Sequence, residues 1–158
     1  YAGKLAENVS MRRAIRKAVE SGLPTVAECG GFLYLGQSLE DAGGTIFPMA
    51  GVLPGKAIRK QKLVRFGYSE LSASADSLLF RQGETLPVHE FHYWDSSENG
   101  GDLTAKKPLT GRNWQCGFSS ERLYAGFPHL YFAGHPHLAE RFVQAAILYR
   151  AERGEHEA

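Results

Sequence analysis

The segment PTVAECGGFLYLG, residues 24–36, carries the most evident chemistry, because Cys29 is followed there by Gly30 and Gly31. The apolar run before Cys29 predicts a buried strand, and a helix is predicted after it. A sharp strand-to-helix turn projects its residue out of a sheet and needs small neighbours. The helix N-terminus would stabilise a thiolate and lower the pKa of Cys29. Cys29 is therefore a candidate nucleophile and the Gly30 N–H a candidate oxyanion donor; a buried structural thiol is the alternative.

A cysteine nucleophile needs a base, and several histidines are available. His129 follows a predicted strand, and α/β sheets hold catalytic groups at strand ends and in the loops after them. We favour His129 as the base, with a surface loop histidine as the alternative. His135 and His137, at the start of the last predicted helix, and His89 and His92 in PVHEFHYWD are the other candidates.

The HEFH segment does not predict a metal site. Pro87 and the aromatic residues around it predict a strand, on which His89 and His92 point to opposite faces. No cysteine–histidine cluster with the spacing of a structural zinc site accompanies them. Cys116 alternates with apolar neighbours in NWQCGF, which predicts a core thiol. We therefore assign no metal to this sequence.

Length and composition predict one globular domain. The chain has 158 residues, of which 43% are hydrophobic, so a sizeable core can form. The formal net charge of +1 argues against nucleic acid or an anionic membrane as the main partner. No apolar run reaches the length of a membrane span, and none resembles a signal peptide. The two cysteines are interpreted as free thiols, which predicts a cytoplasmic location.

Hydrophobic periodicity predicts an α/β order of elements. Residues 1–22 predict one helix, whose apolar face contains Met11, Ile15, Ala18 and Val19. LPTVAE then predicts a strand, and CGGFLYLGQSLE a turn and a helix that ends near Asp41. This helix–strand–helix order is typical of a crossover unit in a parallel sheet.

The second half is predicted to contain mainly strands and then a helix. Residues 62–127 show alternation broken by turn residues, which predicts roughly four to six strands joined by hairpins. HPHLAERFVQAAILYRAERG predicts a helix, and residues 155–158 are expected to fray. The buried stripe of that helix is predicted to contain Leu138, Phe142, Ala145 and Tyr149.

Taken together, these motifs resemble the cobyrinic acid a,c-diamide synthase family, a cobalamin-pathway branch of the class I glutamine amidotransferases. GLPTVAECGGFLYLG is similar to the cysteine motif of the family, and FGYSEL, HEFHYWDS and HLYFAGHPHLAERFV follow in the family's order. The leading segment YAGKLAENVSMRRAIRKAVESG also matches what precedes that cysteine. The resemblance covers nearly the whole chain.

The resemblance implies a three-layer, flavodoxin-like class I glutamine amidotransferase fold with a mixed, mostly parallel sheet. Residues 1–158 would form the glutaminase domain, truncated at its N-terminus and missing the first strand. The ATP-binding synthetase domain, where ATP and Mg²⁺ are expected, would be absent, so we expect no cofactor in this chain. Glutamine would bind here and the corrin precursor, cobyrinic acid, through the missing domain. An exposed sheet edge would allow homo-oligomers.

The resemblance also implies roles for individual residues. Cys29 would form a γ-glutamyl thioester, His129 would activate it, and the Gly30 N–H would bind the oxyanion. Many class I amidotransferases have a glutamate two residues after the histidine, but this sequence has Tyr131. The group that orients His129 is thus left open, and we hypothesise that Glu90 or His92 lines the site and does part of that work. Unchanged glutaminase turnover in both Glu90→Gln and His92→Ala would argue against this.

Two other functions stay open on the sequence. One is a stand-alone cysteine hydrolase or thiol sensor of similar topology, and the other is a non-catalytic assembly module. The acceptor is also open, because relatives handle cobyrinic acid, hydrogenobyrinic acid or nickel-sirohydrochlorin.

The isolated chain is predicted to hydrolyse glutamine poorly or not at all. The family is expected to provide a second oxyanion N–H from a loop ahead of the first helix, and losing one such donor lowers kcat by about 10²–10³-fold. Glutamate release by the isolated chain and by an intact family enzyme would be compared. Equal rates would refute the prediction.

Overall fold

The computed structural model describes the backbone of residues 1–156 and the side chains of residues 1–154. The expected fraying of residues 155–158 therefore lies largely outside the described residues. The elements in chain order are α1 (Ala2–Glu7), α2 (Val9–Glu20), β1 (Thr25–Glu28), α3 (Gly30–Leu35), β2 (Ser38–Glu40), β3 (Ile46–Pro48), β4 (Lys56–Arg59), β5 (Arg65–Ala73), β6 (Thr85–His92), β7 (Trp94–Ser96), β8 (Leu103–Lys106), β9 (Asn113–Cys116), β10 (Phe118–Ser119), β11 (Leu123–Gly126), β12 (His129–Leu130) and α4 (Pro136–His156).

Within residues 1–156 the strands form three sheets, with the orders β1-β11-β10, β12-β6-β5-β8-β9 and β3-β2-β4-β7. The predicted α/β class with mixed sheets is confirmed. The sheet is less parallel than predicted, because β1–β11 and β2–β4 are the parallel pairs among these strands and the other pairs are antiparallel. Short connections join successive strands in the middle of the chain. Such connections can link antiparallel strands, whereas parallel strands need a long crossover connection.

Helices cover both faces of the small β1-β11-β10 sheet. Val26 of β1 faces one core cluster, which includes Leu138 of α4. The next residue, Ala27, faces a second cluster, where Phe32 of α3 and Ile15 of α2 pack. Because successive strand residues point to opposite faces, β1 is enclosed by helices on both sides. The end of β1 is consequently held firmly from two directions.

The predicted N-terminal helix is two helices, separated at Asn8. The Asn8 side-chain oxygen accepts a hydrogen bond from the Met11 N–H at 3.1 Å, and its backbone leaves the helical region with φ −78° and ψ 70°. Asparagine is a favourable N-cap because its side chain satisfies a free backbone donor of the first turn. Local capping therefore divides a segment whose hydrophobic pattern alone predicts one helix.

The predicted helix after the cysteine motif is much shorter than expected. It ends at Leu35 instead of near Asp41, and β2 follows. Gly36 takes an extended conformation, with ψ −179°, and the neighbouring Gln37 N–H donates to the Gly55 carbonyl at 2.8 Å. A contact distant in sequence thus ends the helix.

The second half of the chain contains more strands than predicted. Seven strands, β5 to β11, lie between Arg65 and Gly126. Three residues of the predicted stripe of the final helix reach the core, since Leu138 is fully buried and Phe142 and Ala145 pack against the same cluster. Tyr149 lies outside that cluster, and its hydroxyl is 3.3 Å from Ser21 Oγ at the surface. Within the described chain, no helix combines the length and the apolarity needed to cross a bilayer.

Gly36→Ala is predicted to destabilise the fold. A Cβ atom at Gly36 would lie 2.7 Å from the Gly55 carbonyl oxygen, a backbone atom that cannot move freely. We expect the free energy of unfolding, measured in urea, to fall by about 1–3 kcal/mol, which is the usual cost of overpacking. Gly101→Ala is the matched control, because nothing lies within 4 Å of a Cβ there. Equal stability of the two variants would contradict this account.

Candidate active site

Cys29 occupies the predicted sharp turn between β1 and α3. Its backbone has φ 47° and ψ −105°, and it is the one non-glycine residue with positive φ in the described part of the chain. Such a conformation is costly for a residue with a side chain and persists where the surroundings impose it. Here the Cys29 N–H donates to the Gly126 carbonyl at 2.8 Å, and its carbonyl accepts from the Leu33 N–H at 3.0 Å. The turn is therefore clamped on both sides.

The pKa of the Cys29 thiol is raised, and the prediction of a lowered pKa is wrong. Partial burial is the main cause, and the nearby carboxylates of Glu28 and Glu90 raise the pKa further by disfavouring the thiolate. A hydrogen bond from the Gly30 backbone lowers it, but by less. The resting thiol is thus protonated near neutral pH, and its use as a nucleophile requires a base.

The thiol opens onto a cavity of about 510 Å³. Cys29 forms one part of its wall with residues of α3, and the rest is formed by residues 1–5, by β2 with the turn after it, and by residues 91–94 where β6 meets β7. His92 and Trp94 are among these residues. A cavity of this size can hold a small polar metabolite next to the sulfur.

His92 and Glu90 form a buried pair behind this cavity. The His92 Nε2 atom lies 3.1 Å from Glu90 Oε2, and its Nδ1 atom lies 2.6 Å from the Trp94 carbonyl oxygen. The ring also stacks on Phe127 with a centroid distance of 3.7 Å, and Arg65 Nε is 3.5 Å from Glu90 Oε2. Both ring nitrogens of His92 are therefore engaged. His92 lines the cavity that Cys29 also lines, and neither of its ring nitrogens is free to act as a base.

His129 lies at the first position of β12 and contacts a carboxylate that the sequence analysis did not single out. Its Nδ1 atom is 3.2 Å from Glu28 Oε2, and the other oxygen, Glu28 Oε1, accepts from the Leu130 N–H at 2.9 Å. The His129 side chain is 42% exposed and lines a second cavity of about 490 Å³. The expected contact from Glu90 or His92 to this ring is not formed among the described residues.

Glu28 links the two candidate residues, because its side chain contacts His129 and it directly precedes Cys29 in the chain. Within the described residues, no hydrogen bond joins the two groups, and they line different cavities. The sequence signal for Glu28 was a charged residue at the end of an otherwise apolar strand. Tyr131, at the position where many class I enzymes have glutamate, is 65% exposed.

The other histidine candidates, His89, His135 and His137, do not line the cavity of Cys29. His89 lies on the opposite face of β6 from His92, as predicted, and its ring contacts Phe66 and Tyr68. His137 lies 3.0 Å from Glu84, which also pairs with Arg141 at 2.6 Å.

Cys116 is buried, and burial raises its pKa to about 12. This confirms the prediction of a core thiol. Cys29 is consequently the accessible thiol of the two.

The structure is an α/β domain in which a cysteine with positive φ occupies the turn between a strand and a helix. The residue before this cysteine, Glu28, forms a carboxylate–histidine pair with His129. Comparison with known families narrows this class: the profile of the CobB/CobQ-like glutamine amidotransferase domain matches residues 1–137. Because this match covers most of the 158 residues, the chain belongs to that family.

Curated relatives agree with this assignment. Cobyrinate a,c-diamide synthase from Caldanaerobacter subterraneus subsp. tengcongensis is 36% identical over 145 residues, which is 90% of this chain and 32% of the relative. The protein of the same name from Salmonella typhimurium is 38% identical, over 92% of this chain and 33% of its own length. That from Thermoplasma volcanium is 33% identical, over 97% and 34%. The chain therefore spans about a third of the length of these relatives.

Alkylation of Cys29 is predicted to have a midpoint pH above that of an ordinary cysteine. The reactive species is the thiolate, and burial with the two carboxylates raises the pKa of this thiol. The iodoacetamide rate would be measured against pH in a Cys116→Ala background, with free N-acetylcysteine as the reference. Because removal of the Glu90 charge relieves repulsion, Glu90→Gln should move the midpoint downward. A midpoint below that of the reference would contradict the prediction.

Proposed function

We propose that this chain is the part of a longer enzyme that hydrolyses glutamine to glutamate and ammonia, with Cys29 as the nucleophile and His129 as the base. The observation that carries the proposal is the clamped backbone of Cys29, which holds its sulfur at the wall of a cavity of about 510 Å³. Membership of a glutamine amidotransferase family indicates glutamine as the substrate. Strain at a single reactive residue is a feature of functional sites.

In the proposed reaction, His129 Nε2 takes the proton of Cys29 Sγ as the sulfur attacks the side-chain amide carbon of glutamine. The Gly30 N–H donates to the oxyanion of the tetrahedral intermediate. The proton passes from His129 to the leaving nitrogen, so that ammonia departs and a γ-glutamyl thioester remains. Water, deprotonated by His129, then attacks the thioester, and glutamate leaves as the sulfur regains its proton.

The raised pKa of Cys29 favours this general-base route over a preformed thiolate. A neutral thiol must lose its proton during the attack, and a positioned imidazole contributes about 10²–10⁴-fold to such a step. The proposal requires that His129 and the sulfur approach each other with glutamine bound. Catalytic hydrogen bonds commonly tighten only in the substrate complex.

The fate of the ammonia is proposed from the relatives. Proteins named cobyrinate a,c-diamide synthase are about three times as long as this chain. We propose that the ammonia amidates side-chain carboxylates of cobyrinic acid, with ATP and Mg²⁺ acting in the part of those relatives that this chain does not cover.

The test is glutamine-protected labelling together with turnover in the full-length protein. The diazo-ketone analogue 6-diazo-5-oxonorleucine should alkylate Cys29, identified by peptide mass spectrometry, and excess glutamine should prevent this. Cys29→Ala should abolish glutamate release, and His129→Ala should lower kcat by about 10²–10⁴-fold.

Cys116→Ala is the matched control, since this thiol is buried away from the cavity; its labelling and turnover should equal those of the parent. Labelling that glutamine does not prevent would favour a thiol sensor or an unrelated hydrolase. No labelling at all would favour an assembly module. Either result, or turnover retained in Cys29→Ala, would overturn the proposal.

A further inference from the structure

We propose that Glu28 is the positioning residue for His129, filling the role of the carboxylate whose usual position holds Tyr131. This inference rests on the proposed glutaminase function. Its basis is the contact between residues that lie 101 positions apart, in which Glu28 Oε2 is 3.2 Å from His129 Nδ1. The Glu28 side chain is 23% exposed and the His129 side chain 42% exposed, so the contact is partly shielded from water.

The two oxygens of Glu28 hold both the ring and the backbone that carries it. Oε1 accepts from the Leu130 N–H at 2.9 Å while Oε2 faces the ring. With one oxygen engaged by β12, rotation of the carboxylate away from His129 would cost a hydrogen bond. Glu28 therefore sets the position of the start of β12 as well as the orientation of the imidazole.

An ionised carboxylate determines which nitrogen carries the proton. A carboxylate only accepts hydrogen bonds, so the contact requires the proton on Nδ1 of His129. Nε2 is then left with the lone pair that a general base needs. The negative charge of Glu28 also stabilises the imidazolium that forms when His129 takes the thiol proton.

The chain connectivity couples this pair to the nucleophile. Glu28 is the last residue of β1 and Cys29 follows it directly, while Gly126 pairs with Glu28 in the register and binds the Cys29 N–H. A shift of β1 along β11 would move the nucleophile and the positioning group together. Tyr131 lines the same cavity as His129 but carries no carboxylate.

The decisive experiment replaces Glu28 by glutamine in the full-length protein and measures two independent quantities. The amide keeps the shape but offers N–H donors that can face Nδ1, which moves the ring proton to Nε2. We expect kcat for glutamate release to fall by about 10²–10⁴-fold with KM changed by less than about threefold. In ¹⁵N-histidine spectra, assigned with His129→Gln, we expect the Nδ1–H tautomer in the parent and its loss in Glu28→Gln.

Glu84→Gln is the control, because Glu84 also places a carboxylate 3.0 Å from an imidazole, that of His137, but without a hydrogen bond between them and away from the cavity of Cys29. Its kcat should be unchanged. A parental kcat or tautomer in Glu28→Gln, or an equal loss in Glu84→Gln, would overturn the inference. If Glu28→Gln does not fold, Glu28→Asp serves instead: its carboxylate is too short for both contacts, so kcat must fall, and a parental kcat would overturn the inference.

The spectra separate this inference from the proposed function. A parent protein without glutamine turnover but with the Nδ1–H tautomer that depends on Glu28 would refute the function and retain the positioning role. Glutamine turnover that is unaffected by Glu28→Gln would refute the positioning role and retain the proposed function.

Discussion

The parallel pairing of β1 with β11 is the constraint on which the rest of the site depends. It aligns Glu28 with Gly126 and lets the Gly126 carbonyl accept the Cys29 N–H, which fixes the turn in a conformation that a cysteine does not adopt freely. Cores on both faces of this sheet hold β1 in place. Because the strand end is rigid, the sulfur and the preceding carboxylate keep fixed directions. The packing on both faces of the sheet stabilises the strained turn.

The electrostatics of the thiol are governed by its partial burial and by two neighbouring carboxylates. Glu28 and Glu90 disfavour the thiolate, and partial burial has the larger effect in the same direction. A site with this charge distribution does not store a reactive thiolate, so the proposed reaction depends on proton transfer during attack. A protonated resting thiol is also less reactive towards oxidants and electrophiles. Glu28, one of the two carboxylates that disfavour the thiolate, is in our proposal also the residue that positions the base.

The domain has a histidine–carboxylate contact between His92 and Glu90 and another between His129 and Glu28, and the two differ in their surroundings. His92 has both nitrogens engaged and is stacked on Phe127, so it stabilises the wall of the cavity. His129 has one nitrogen held by Glu28 and a partly exposed ring. Geometry, and not residue type, therefore separates the candidate base from the structural histidine. Family membership, by contrast, is established by the match over residues 1–137.

The sequence by itself determined the features that local chemistry controls. The glycine pair after Cys29 predicted the sharp turn, and 3.6-residue periodicity predicted the stripe of α4 with Leu138. Tertiary structure decided the rest, because those features depend on contacts distant in sequence. The Gly55 carbonyl beside Gly36 shortened α3, burial and carboxylates raised the pKa of Cys29, and the return of the chain at β12 brought His129 to Glu28. No local pattern encodes such contacts, since each requires the fold to exist first.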